Sequence, residues 1–247
     1  MCRHLAWLGE PRTIASLVLE GEHSLQTQSW APRRQCHGTV NVDGFGAGWY
    51  VDGPLARPQP VRYRSARPIW TDASFASLAP TVASRCALAA VRSATPGTAA
   101  DEGAAAPFTH DRWLFSHNGR LHDWAAARTA LLPRSADVPD TRVGVDSALL
   151  FGLALARWQS GAGLSAGLAG AATDVLAHGG GRLTCVATDG VSLAAVVVSE
   201  PMHVLATDEG VLLASEPSDD DRRWRELPDR TVVRVCGSDV TETPLEA

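Results

Sequence analysis

Met1-Cys2-Arg3-His4-Leu5-Ala6-Trp7-Leu8-Gly9-Glu10 opens the chain, and the reading of this stretch decides the fold. The largely apolar run over residues 3–8 predicts a buried strand. That strand begins one residue after a cysteine. A small residue behind Met1 permits trimming of the methionine, which leaves Cys2 with a thiol and a free α-amine on one residue. An α-amine titrates near ~8, so it can take the thiol proton without help from His or Asp. Position alone is weak support, since a cysteine also follows Met by chance.

The rest of the composition narrows the classes. The chain has 247 residues, 45% of them hydrophobic and 20% charged, as in an ordinary globular protein. A net charge of −5 and the lack of a basic stripe argue against nucleic-acid binding. Every cationic side chain other than histidine is Arg, and without Lys neither a Schiff-base lysine nor a Walker A motif is available. Cys2, Cys36, Cys86, Cys185 and Cys236 are scattered and odd in number, which suggests neither a disulfide framework nor a zinc site. The start lacks the apolar stretch of a signal peptide, and runs 149–156 and 193–198 are shorter than the ~20 residues of a spanning helix. The expectation is a soluble cytoplasmic protein.

Strand-like segments fall at residues 3–8, 46–51, 87–91, 112–116, 183–187, 193–198, 204–205, 211–214 and 231–235. Helical patterns fall at 121–132, 145–158 and 164–177, the last stopped by Gly179-Gly180-Gly181, with a further helix expected within 72–84. Residues 95–106 and 218–223 read as surface loops. Strands, then helices, then strands again predict an α+β protein of mostly antiparallel sheets, two packed together with helices outside.

Four features beyond Cys2 are able to carry chemistry. Phe115-Ser116-His117-Asn118-Gly119 follows a strand-like run; an Asn-Gly pair there reads as a turn, but the Asn amide and the Gly N–H can also face one oxyanion. Arg92-Ser93-Ala94-Thr95 ends the apolar strand at 87–91, where Arg is either a surface ion-pair partner or a carboxylate clamp. Asp146-Ser147 opens a helical pattern, either as a cap or as a holder of an ammonium group. The fourth is Asp43-Gly44-Phe45-Gly46-Ala47-Gly48-Trp49.

Each feature alone has a bland explanation, but their combination and order resemble the class II glutamine amidotransferase family. The resemblance implies a four-layer αββα sandwich of the N-terminal-nucleophile hydrolase type, with residues 1–247 as one domain of that kind and Met1 removed. It implies that Cys2 attacks a γ-glutamyl carbonyl, that Asn118 and Gly119 form the oxyanion hole, and that Arg92 and Asp146 clamp the α-carboxylate and α-ammonium, with Thr95 and His117 beside them. The glycine-rich stretch at 43–49 resembles the stand-alone branch of the family. Two departures stand out: Pro96 where many relatives have His, and Ala148 where many have an acidic residue.

No synthase segment follows within this sequence, so the expected reaction is hydrolysis of a γ-glutamyl amide. The segment His23-Ser24-Leu25-Gln26-Thr27-Gln28-Ser29-Trp30-Ala31-Pro32 resembles the branch acting in ergothioneine biosynthesis. That implies a sulfoxide conjugate of hercynine as substrate, whose trimethylammonium an aromatic face can bind; Trp30, Trp49 and Trp70 are the candidates. Residues 23–32 are expected to act as a lid. The resemblance implies a small-molecule γ-glutamyl partner, no cofactor, no metal, no nucleic acid and no membrane, with homodimerisation left open. The alternatives are a glutaminase subunit feeding ammonia to a partner synthase and a non-catalytic γ-glutamyl-binding relative.

Two further motifs are set aside. Gly163-Leu164-Ser165-Ala166-Gly167 matches a serine-hydrolase elbow, but no strand precedes it and His178-Gly179-Gly180-Gly181 follows the serine instead of preceding it. Asp219-Asp220-Asp221 beside Arg222-Arg223 reads as a solvated loop.

Overall fold

A computed structural model describes residues 2–35, 37–51, 59–95, 97–98 and 101–246. In chain order its first elements are β1 (Arg3–Thr13), α1 (Ile14–Val18), α2 (Leu25–Gln28), β2 (Phe45–Tyr50), β3 (Pro60–Ser65), α3 (Ala73–Leu78), β4 (Ala83–Val91), β5 (Phe108–His110), β6 (Trp113–Leu121) and α4 (Trp124–Leu131). There follow α5 (Asp146–Gln159), α6 (Leu164–Ala177), β7 (Gly181–Thr188), β8 (Ser192–Val197), β9 (His203–Thr207), β10 (Gly210–Ala214), β11 (Arg225–Glu226), β12 (Thr231–Cys236) and β13 (Asp239–Pro244).

The strands form a seven-stranded sheet, β11-β9-β10-β1-β4-β2-β3, and a six-stranded sheet, β13-β12-β8-β7-β6-β5. Every strand pair described is antiparallel. Side-chain alternation along the strands divides the core. On β1, Ala6 and Leu8 join Leu88, Leu114, Val186, Leu213 and Val233 between the sheets. Leu5 and Trp7 turn outward to Ile14, Leu17, Leu25 and Phe75 on the short helices. On the far side Phe115, Leu183 and Cys185 pack under Leu150, Phe151, Leu153 and Leu168 of α5 and α6. These layers make the expected αββα sandwich. Each fully buried Leu or Phe contributes about 1.5–3 kcal/mol.

Two local readings are sharpened. The helix expected within 72–84 stops at Leu78: Asp72 caps α3 through the Phe75 N–H, and Ala83 already begins β4. Asn118-Gly119 is not a turn. Both residues lie inside β6, opposite Thr184 and Leu183 of β7. The elbow-like Gly163–Gly167 run opens α6, where Gly167 leaves room for the Trp158 indole, so its glycines serve helix packing. Residues 218–223 form an exposed loop in which Asp221 grips Arg223.

Candidate active site

Cys2 precedes β1, and the β1–β4 register sets Arg3 opposite Val91, so the nucleophile candidate lies beside the end of β4, from which Arg92 emerges. Cys2, Arg92, Thr95, His117, Gly119, Asp146 and Ser147 line one cleft, floored by Ala104, Phe108 and Val145. The fold therefore brings together residues that are far apart in sequence, from the ends of β1 and β4, the middle of β6 and the start of α5.

Arg92 is almost wholly buried. Its Nη1 donates to the Asp43 carbonyl at 3.2 Å and its Nη2 to Thr98 Oγ1 at 3.2 Å. Gly44 makes this possible: at φ +121° it turns the chain so that its carbonyl accepts the Arg92 N–H and the Asp43 carboxylate accepts the Ala94 N–H. The glycine-rich stretch at 43–49 is thus the edge of β2 that holds the arginine, a role legible only once β2 and β4 are paired.

Asp146 begins α5, where the helix dipole favours a negative charge. Its Oδ1 accepts the Ser147 N–H at 2.9 Å and its Oδ2 the Leu121 N–H at 3.1 Å, so the carboxylate is fixed at the cleft wall. Ala148 packs in the helix-side core and does not line the cleft. Pro96 lies outside the described residues.

Along β6 the side chains alternate, so His117 and Asn118 face opposite ways. His117 points toward α5; its Nε2 donates to the Arg182 carbonyl at 3.1 Å, which in the neutral ring leaves Nδ1 to accept from Ser147 Oγ at 3.0 Å. Both ring nitrogens are engaged, so the ring anchors the start of α5 to the β6–β7 ladder. Asn118 is fully buried and neither its Oδ1 nor its Nδ2 has a hydrogen-bond partner. Such an orphaned amide is rare in a folded protein and costs about 1–3 kcal/mol. At Gly119 φ is +149°, and a Cβ would collide with the Arg182 carbonyl, so only glycine fits there.

Several groups around the cleft gave no sequence signal. His4 is completely buried with its Nδ1 on Ser116 Oγ at 3.0 Å; burial first, then the charges of Arg3 and His117, push its pKa down to about 3, so it is a neutral ring. Arg3 and Arg182 were equally silent, because their roles depend on strand partners tens of residues away, and Thr98 was silent because its contact with Arg92 depends on the fold of the loop after β4. Trp49 is a core residue. Trp30 and Trp70 are half-exposed and meet edge to face, centroids 5.3 Å apart at 88°, but neither lines the Cys2 cleft. Among the described residues no group of three His, Cys, Asp or Glu is placed to hold a metal, and no helix is long and apolar enough to cross a membrane.

Two facing antiparallel sheets between helical layers, with a cysteine at the mouth of a central strand, define an architecture of the N-terminal-nucleophile hydrolase type. The solved glutamine aminotransferase class-II domain protein of Silicibacter pomeroyi superposes with a TM-score of 0.72 at 24% identity, each chain fully covered. Glutamine phosphoribosylpyrophosphate amidotransferase of B. subtilis gives 0.71 at 16% identity over this whole chain and 49% of its own. Residues 16–205 match the family profile of class-II glutamine amidotransferases, and the chain belongs to that family. In sequence it is 44% identical over 245 residues to the gamma-glutamyl-hercynylcysteine sulfoxide hydrolase of Mycolicibacterium smegmatis, covering 99% of this chain and 100% of the relative. The hydrolase of the same name in Mycobacterium tuberculosis is 42% identical over 246 residues, covering 100% and 97%.

Proposed function

We propose that this chain hydrolyses the γ-glutamyl amide of γ-glutamyl-hercynylcysteine sulfoxide, releasing glutamate and hercynylcysteine sulfoxide through a Cys2 thioester, with residues 1–247 acting as one catalytic unit. The observation that carries the chemistry is the unpaired, buried Asn118 amide, whose chain neighbours His117 and Gly119 line one cleft with Cys2, Arg92 and Asp146. The full-length likeness to hydrolases of that name supports the substrate.

After loss of Met1 the Cys2 α-amine takes the thiol proton, and the sulfur attacks the γ-carbonyl carbon. Arg92 holds the substrate's α-carboxylate, Asp146 its α-ammonium, and Thr95 closes the side of the cleft. The oxyanion receives hydrogen bonds from the Asn118 amide and the Gly119 N–H, worth about 3–4 kcal/mol per donor. The ammonium of Cys2 returns its proton to the leaving nitrogen, the C–N bond breaks, and water then cleaves the thioester with the same amine as base. His117 orients this assembly. The trimethylammonium of the leaving group is assigned to the half-exposed, edge-to-face Trp30–Trp70 pair.

Replacing Asp146 with Asn keeps an acceptor for one N–H but removes the charge. Steady-state kinetics should then show KM raised roughly 10–100-fold with kcat little changed, the signature of lost ground-state binding. An unchanged KM would remove Asp146 from the clamp.

The discriminating experiment is glutamate release from the sulfoxide conjugate and from plain glutamine. The conjugate is expected to have the higher kcat/KM by at least about a hundredfold, near 2.7 kcal/mol. Comparable values would sink the conjugate reading and leave a glutaminase. Trp30→Ala should raise KM for the conjugate about tenfold and leave glutamine unaffected; an unmoved KM for the conjugate excludes Trp30 as a contact.

A further inference from the structure

Among the described residues Arg3 is the largest charged side chain with no exposed surface. Burying a guanidinium is costly unless its charge is used or matched. Its Nε donates to the carbonyl oxygen of Cys2 at 2.8 Å. Glu200 is buried as well, and its carboxylate pairs with Arg182 Nε at 2.6 Å. Burial raises the Glu200 pKa, and the Arg182 and Arg3 charges oppose that rise, so the carboxylate sits in the field of both arginines. The main chain of Glu200 is fixed too: its carbonyl accepts Thr184 Oγ1–H at 2.6 Å, and Thr184 is the ladder partner of Asn118. The carbonyl of Arg182, in turn, accepts the His117 ring N–H and backs directly on Gly119.

We propose that Arg3 and Glu200 are positioning residues for the reaction: Arg3 fixes the nucleophile's residue through the Cys2 carbonyl, and Glu200, through Arg182 and Thr184, fixes the strands bearing the oxyanion pair. The inference rests on Cys2 being the nucleophile. Arg3 also acts through charge. A cation held on the Cys2 carbonyl opposes positive charge on the neighbouring α-amine more than a neutral side chain in the same place would. The other groups facing Cys2 are Arg92 at the end of β4, His117 on β6 and Asp146 at the start of α5, with Asp43 beside Arg92 and the neutral His4 on β1. His37 adds to the field at Glu200. All of these stay unchanged in the variants below.

The test follows alkylation of Cys2 by iodoacetamide against pH, read by mass on the N-terminal peptide, so that no substrate is needed. Arg3→Met is expected to raise the pH midpoint of alkylation by about one unit and to lower kcat while leaving KM unchanged. Arg3→Lys should recover the midpoint and only part of kcat, because an ammonium supplies the charge without the Nε geometry. Glu200→Gln should move the midpoint the other way, downward, because it leaves two arginines uncompensated. Opposite shifts are not what loosened packing gives. Folded Arg3→Met and Glu200→Gln proteins with the wild-type midpoint would overturn the proposal. If Arg3→Met fails to fold, an unmoved midpoint in Glu200→Gln overturns it alone. Wild-type protein that retains Met1 would sink the nucleophile reading itself, and this inference with it.

Discussion

Cys2→Ala is expected to fold normally and to release no glutamate above background, a loss on the order of 10^4–10^6 in kcat. The size follows from the role: one residue supplies the attacking sulfur and the proton carrier, so removing the sulfur leaves only substrate binding and the oxyanion donors. Binding should survive, because Arg92 and Asp146 are fixed by Asp43, Thr98, Leu121 and Ser147 and not by the thiol. Intact mass on the wild-type protein should show a chain starting at Cys2. Substantial turnover by Cys2→Ala would move the nucleophile elsewhere. Among the described residues the other cysteines are poor replacements: Cys86 and Cys185 are buried in the core, which pushes the Cys86 thiol up to about 12 and the Cys185 thiol higher still, and Cys236 lies exposed at the end of β12.

Asn118→Leu should separate activity from stability. The side chain is fully buried with both polar atoms unpaired, so the folded protein carries a desolvation cost that no internal hydrogen bond offsets. A leucine of similar shape removes that cost. Thermal unfolding should rise by about 2–4 °C, equivalent to about 1 kcal/mol at this chain length, while kcat falls about 10^2–10^3-fold with KM nearly constant. A variant that is both inactive and destabilised would mean that the amide is a structural group. An active variant would remove it from the oxyanion hole.

The architecture was legible in the sequence wherever apolar spacing was strong. The pattern at 164–177 gives α6 at its observed limits because its buried positions repeat at helical spacing and three glycines stop it. At 72–84 the same logic found the helix but not its end. Ala, Ser and Leu satisfy either period, and only the alternation Ser84, Cys86, Leu88 against exposed Arg85 marks the start of a strand. β3 and β13 were missed because, as edge strands, they carry polar and charged side chains with weak alternation. The cleft residues that the sequence offered, Cys2, Arg92, Thr95, His117, Gly119 and Asp146, do come together. Asn118 adjoins them in the sheet, whereas Trp30 stands apart. The supporting shell of Arg3, His4, Arg182 and Glu200 had no local signature, since buried polar residues read as surface until their strand partners are known. Asn-Gly was misleading for a related reason: turn propensity is local, whereas the β6–β7 ladder is not.

The place of β1 also sets an order of events during synthesis. β1 is made long before one of its two neighbours, β10, whose Ala214 pairs with Leu5. At translation speeds of about 5–20 residues per second, some 10–40 s separate the emergence of the first strand from that of its last partner. For that interval β1 is without one of its two sheet neighbours. Closure of the central strand then follows nearly complete translation, so the cleft at its edge is completed late.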